Sequence, residues 1–156
     1  MKLKVRKLDE LCDIEIGKTP ARANKKFWDE DKVTKNIWLS IADLKNIQNN
    51  HVYDSKEYLT NEGCDLFNYV KKGTLLFSFK LTIGRMAFAG TDLRTNEAIA
   101  ALSIKDENEL DKFFLMYFLQ SIDWNKFTEG DEKVKGKTLN KKKIKNIEIS
   151  YPSIDE

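Results

Sequence analysis

Two acid-free stretches hold the residues best suited to chemistry in this chain. Residues 16–28 carry Lys18, Arg22, Lys25 and Lys26, a local charge of +4. Residues 133–145 carry Lys133, Lys135, Lys137, Lys141, Lys142, Lys143 and Lys145, a local charge of +7. Ammonium and guanidinium groups bind phosphate. Thr19, Trp28, Ser40, Thr82 and Thr138, interleaved with the basic loops, add donors for base edges. The acids gather elsewhere, at Asp54, Glu57, Glu62 and Asp65, and again at Asp106, Glu107, Glu109 and Asp111. If the basic loops share a face, the molecule is a strong dipole suited to a phosphate backbone. Lysine-rich loops that only keep a protein soluble have the same composition, so the arrangement must decide.

Catalytic chemistry is poorly provided for. The one histidine, His51, excludes H-E-x-x-H and other multi-histidine metal sites, and its Asn49-Asn50-His51 setting reads as a solvated loop. There is no G-x-S-x-G to supply a nucleophile. Gly17-Lys18-Thr19 and Gly136-Lys137-Thr138 look like the end of a P-loop. The glycine required five residues before each GK is Cys12 in the first and Asp131 in the second. Pro20 also follows the first where a helix should run on. A metal-dependent nuclease could be built on Asp13, Glu30 and Lys32, but Asp29-Glu30-Asp31 reads as a solvated acidic turn. A DNA methyltransferase would need a Pro-Pro-aromatic motif, and no Pro-Pro occurs. No cofactor is called for.

The elements that must position these residues are those of one small domain. The chain has 156 residues with 41% hydrophobic and 11% aromatic, enough for a real core. Its 27 basic and 25 acidic residues leave a net +2, which alone argues against a polyanionic partner. The longest apolar run, 113–119, is far short of the ~20 residues a membrane span needs, and the basic Met1–Lys7, with no apolar run after it, does not read as a signal peptide. Cys12 and Cys64 match no paired spacing and fit two reduced, partly buried thiols of a cytosolic protein.

Local patterns predict a short helix over 8–12 with Asp9 as its cap, and a strand over 13–16 stopped by Gly17 and Pro20. Polar loops cover 17–35 and 45–57. Strands are expected over 36–41, 74–79, 83–89 and 97–104, with Lys80-Leu81-Thr82 joining the second and third. A helix over 59–67 would be capped by Thr60. The clearest helix spans 109–121, capped by Asn108, with Leu110, Phe113, Phe114, Tyr117 and Phe118 as its core stripe. Asn140 caps a helix over 141–145, Ile147 and Ile149 alternate into a last strand, and Ser153-Ile154-Asp155-Glu156 has the capping-box form of a helix start.

The order of these segments resembles the target-recognition domain of the specificity subunit of type I restriction–modification systems. Leu8-Asp9-Glu10-Leu11-Cys12-Asp13-Ile14 followed by Gly17-Lys18-Thr19-Pro20 is similar to the family's opening and its G-x-T-P turn. Ile37-Trp38-Leu39-Ser40-Ile41 with Asp43 is similar to its tryptophan strand. Tyr58-Leu59-Thr60-Asn61-Glu62-Gly63, Lys72-Gly73-Thr74-Leu75-Leu76, Thr82-Ile83-Gly84-Arg85 and Asn96-Glu97-Ala98 follow in the family's order. So does the finish, Leu139 through Tyr151 and Pro152. Glu97 departs from the glutamine common in the family, and the glutamine expected after Glu156 falls past the end of the sequence. The spacer helix it would belong to is therefore expected to be absent, and docking through it is not readable.

The resemblance implies a non-catalytic reader of double-stranded DNA in the cytoplasm, recognising one half of a split target. It implies partners too: methyltransferase subunits, restriction subunits, and a second recognition domain or half subunit. The expected fold is a single α/β (α+β) domain over 1–152, a mixed or mostly antiparallel sheet of short strands with two or three helices and long DNA-facing loops. Residues 153–156 would begin a spacer helix. Three contact segments are expected: Lys18, Thr19, Arg22, Lys25 and Lys26; then Lys80, Thr82 and Arg85; then Lys135, Lys137, Thr138 and Lys141. Arg22 and Arg85 are the base-reading candidates, because a guanidinium can bond guanine at two points. The rival readings are a protein-interaction module with basic loops and the nuclease above.

Overall fold

A computed structural model describes residues 2–127 and 137–153. In chain order the elements are β1 (Lys4–Lys7), α1 (Leu8–Leu11), β2 (Cys12–Ile16) and β3 (Ile37–Leu39), then a 3-10 helix (Ile41–Lys45). Next come β4 (His51–Val52), β5 (Glu57–Tyr58), α2 (Asn61–Cys64), β6 (Leu75–Ser78), β7 (Lys80–Leu81), β8 (Met86–Ala89) and β9 (Arg94–Thr95). The chain continues through β10 (Ile99–Ile104), α3 (Lys112–Ser121), α4 (Trp124–Phe127), β11 (Lys137–Thr138), α5 (Lys141–Lys145) and β12 (Glu148–Tyr151). This is the expected mixed α/β architecture.

The central sheet has five strands in the order β2-β10-β6-β8-β4, antiparallel except for the parallel β4–β8 pair. Its three inner strands are nearly continuous apolar runs, Leu-Leu-Phe-Ser, Met-Ala-Phe-Ala and Ile-Ala-Ala-Leu, because both faces are covered. Side chains alternate across the sheet. Leu75, Phe77, Met86, Phe88, Ala100 and Leu102 meet α1, α3, α5 and β12 on one face. Leu76, Ala87, Ala89, Ile99 and Ala101 meet Ile37, Leu39, Leu44 and Leu93 on the other, under a three-stranded sheet ordered β5-β3-β9. A third cluster, Trp28, Trp38, Leu59 and Cys64, lies beneath the 17–35 loop.

Several local expectations shift. The long helix starts at Lys112, and its cap is Asp111 rather than Asn108: the Asp111 carboxylate accepts the N–H groups of Phe113 and Phe114, both at 3.0 Å. Its buried side is Leu115, Met116 and Leu119, while Phe113 and Tyr117 are exposed. Apolar side chains surround this helix on nearly every side, so periodicity cannot choose the face that packs. The opening helix is capped by Lys7 rather than Asp9, with Glu10 accepting the Lys7 N–H at 3.2 Å. The predicted 59–67 helix is one turn, α2, with Thr60 as the expected cap. His51 lies in strand β4, half-buried beside Phe88, not in a loop. Asp29 is buried rather than solvated; its carboxylate accepts from the Val33 and Thr34 N–H groups and the Thr34 hydroxyl at 2.6–3.1 Å. β1 was not legible: its four residues are all exposed, and pairing with β12 forms it.

Candidate nucleic-acid interface

The first basic segment is pinned from beneath by two tryptophans. Trp38 Nε1–H donates to the Lys18 carbonyl and Trp28 Nε1–H to the Ala21 carbonyl, both at 3.1 Å. The two rings pack edge to face, 5.0 Å apart. Gly17 starts the segment because its backbone lies against β9, where a Cβ would fall 2.0 Å from the Thr95 carbonyl oxygen. The next residue's N–H donates to that same oxygen at 3.0 Å. From the far side the α2 cap holds the loop: the Thr60 N–H reaches the Phe27 carbonyl at 3.0 Å, and its hydroxyl the Lys26 carbonyl. Lys18 crosses to the Leu66 carbonyl at 3.1 Å, while Lys25 and Lys26 are exposed.

Arg22 is engaged rather than free. It forms a 2.5 Å ion pair with Glu57 and lies 4.4 Å from the Trp28 ring centre and 5.1 Å from that of Trp38. Arg85 donates to the Ile41 carbonyl at 3.2 Å. Either guanidinium must exchange a partner to reach a base.

The second and third segments meet. Lys80-Leu81 does not simply join two strands; it forms β7, paired antiparallel with Lys137-Thr138 of β11. The turn beyond is fixed by Ser78, whose hydroxyl donates to the Thr82 carbonyl at 2.6 Å and accepts the Arg85 N–H at 3.0 Å. Lys135 lies outside the described residues. Lys141 lines a cleft of about 490 Å³ together with Gly17 and Lys18. Glu97 ties the first segment to the second: its carboxylate accepts the Thr19 hydroxyl and lies within electrostatic reach of Lys80 and Arg22. Three stretches separated by some 60 residues each way thus converge around the start of β10.

Residues 2–156 match the family model described as the type I restriction modification DNA specificity domain. The chain belongs to that family. This specificity domain is 26% identical over 159 residues to the type I restriction enzyme MjaIX specificity subunit of Methanocaldococcus jannaschii. The alignment covers 97% of this chain and 34% of that protein. In fold it is similar to the HsdS subunit of Thermoanaerobacter tengcongensis, at TM-score 0.71 and 20% identity over 98% of this chain and 34% of that one. A chain from a structural study of complex assembly and conformational transition in the type I R-M system gives TM-score 0.72 at 19% identity, covering 98% and 35%. The type I S subunit of M. genitalium gives 0.61 at 17%, again covering 98% and 35%. The chain spans about a third of the length of these relatives.

Around the candidate interface of this specificity domain, the expectation that Glu57 and Asp65 lie apart from the basic loops is overturned. Glu57 and Glu97 come from distant segments to sit within the first basic window, and Glu15 and Asp65 line the cleft beside Lys18. No local signal marks Glu57, Asp65 or Glu97, since tertiary packing brings them there from distant segments; Glu15 is a sequence neighbour of Lys18. Burial pushes the Cys12 thiol up to about 12 and raises that of Cys64, and neither thiol is in a disulfide. Among the described residues no group of three His, Cys, Asp or Glu side chains is placed to hold a metal, and no helix is long and apolar enough to cross a membrane.

Proposed function

We propose that this domain binds duplex DNA sequence-specifically in the cytoplasm. It reads one half of a split target and directs methyltransferase and restriction subunits to it. The observation that carries the reading is the convergence of three separately encoded basic segments, in a chain of the DNA specificity domain family. Lys18, Lys25, Lys26, Lys80, Lys135, Lys137 and Lys141 hold phosphates. Thr82 and Thr138 donate hydrogen bonds, the Thr19 hydroxyl, which donates to Glu97, meets the DNA through its lone pairs, and Arg22 and Arg85 turn to bases once DNA competes for them. The domain itself performs no chemistry; methylation and cleavage belong to its partners, and a second recognition domain or half subunit reads the other half-site. Residues 1–152 are the reader; of 153–156, where a spacer would begin, 154–156 lie outside the described residues.

The test is a titration of the full chain against duplex DNA at two salt concentrations. With six to ten phosphate contacts, affinity falls ~10³–10⁵-fold between 50 and 200 mM salt. A complex carrying Lys18, Arg22 and Arg85 all replaced by Ala that still methylates the same target at the normal rate would overturn the reading.

A further inference from the structure

Glu97 is an anion set among the basic segments, accepting the Thr19 hydroxyl with Lys80 and Arg22 within electrostatic reach. A carboxylate facing phosphates is repelled, and it is tolerated in such an interface where it meets a hydrogen-bond donor on the nucleic acid. Ionised, it only accepts, so its possible base partners are exocyclic amino groups. In the major groove adenine N6 stands next to the acceptor N7, whereas cytosine N4 has no acceptor beside it on that edge. Cytosine is therefore the better match.

The side chain is built for this. It is exposed, on the loop between β9 and β10. Thr19 takes up Oε2, and Oε1 takes no side-chain hydrogen bond among the described residues. Backbone bonds lock both neighbours: the Asn96 N–H donates to the Leu39 carbonyl at 2.9 Å, and the Ala98 carbonyl accepts from the Phe79 N–H at 3.0 Å. The acceptor therefore reaches the DNA already oriented, with little ordering left to do on binding. Burial pushes the carboxyl up, but the Thr19 hydroxyl, the residue's own N–H, Lys80 and Arg22 more than offset it, so the group is charged at neutral pH.

We propose that Glu97 is a specificity-determining residue that accepts a hydrogen bond from the 4-amino group of a cytosine in the target. The inference rests on the DNA-reading role above. Randomised duplexes are selected with the full chain, alone and with its methyltransferase partners, in wild-type, Glu97→Gln and Glu97→Ala forms. The glutamine variant keeps an acceptor for Thr19, which separates readout from loop support. The expected result is loss of selection for one C·G pair by about 5- to 150-fold, with preferences elsewhere unchanged. Removing the 4-amino group from that cytosine then costs the wild type affinity and costs Glu97→Ala nothing. An unchanged consensus in both variants overturns the proposal, as does uniform weakening on every sequence, which marks mere loop support. A wild-type chain that selects no sequence at all removes the DNA-reading role itself, and this inference with it.

Discussion

Trp38 and Gly17 are the residues on which the first basic segment depends. Neither touches solvent chemistry directly: one supplies an indole N–H to the Lys18 carbonyl, the other supplies room for the chain to pass Thr95. Both stand in recognisable sequence motifs, yet their roles are visible only as contacts with residues some 20 and 78 positions away. The cysteines show the opposite case, where residue type and burial together suffice. A thiol pushed up to about 12 is not a nucleophile at neutral pH, and Cys12 is 1% exposed. In the folded protein both thiols are expected to resist alkylation at pH 8 and both to react in denaturant. Mass spectrometry after a timed iodoacetamide pulse checks this, and rapid labelling of Cys12 in the native state would contradict it.

Among the elements, the β1–β12 ribbon has the least core beneath its first strand and the clearest polar clasp. Glu109, just before α3, accepts from the Tyr151 hydroxyl at 2.6 Å and from Arg6 at 3.1 Å. The Tyr151 bond first, then Arg6, hold its carboxyl below the ordinary 4.5. A carboxyl depressed in the folded state contributes stability that is present above 4.5 and is lost as pH falls through the lower, folded value. Thermal unfolding should therefore show declining stability below about pH 4.5. Glu109→Gln should lower stability at pH 7 and flatten part of that acid slope, as scanning calorimetry across pH 3–7 would register. Where elements were short, reading them from sequence failed for a common reason. β1, β4, β5, β7 and β11 have two to four residues each, too few for a period, and exist because a partner strand supplies their hydrogen bonds. The one-turn helices α2 and α5 were legible through their caps: Thr60 Oγ1 accepts the Gly63 N–H at 3.1 Å, and Asn140 accepts the Lys143 N–H at 2.8 Å.

For the whole molecule, the net charge of +2 conceals an arrangement. Phosphate contacts contribute to the salt dependence of binding in proportion to their number. Lys18→Ala and Lys141→Ala should each lower the slope of log affinity against log salt by about one, across all sequences. Lys4→Ala, on β1 and outside the three segments, should leave the slope unchanged. Binding isotherms at four salt concentrations distinguish these outcomes. The sequence by itself determined the class of fold, because apolar runs bounded by Gly, Pro and capping residues specify strands and turns locally. It also marked the basic windows and, through the order of its motifs, the family. The tertiary structure alone decided which charges are neighbours. Strand pairing joins Lys80 to Thr138, and loop packing sets Glu57 against Arg22 and Glu97 against Thr19. These are contacts between segments far apart in the chain, fixed by burying both faces of one sheet, and no local pattern of residue types encodes them.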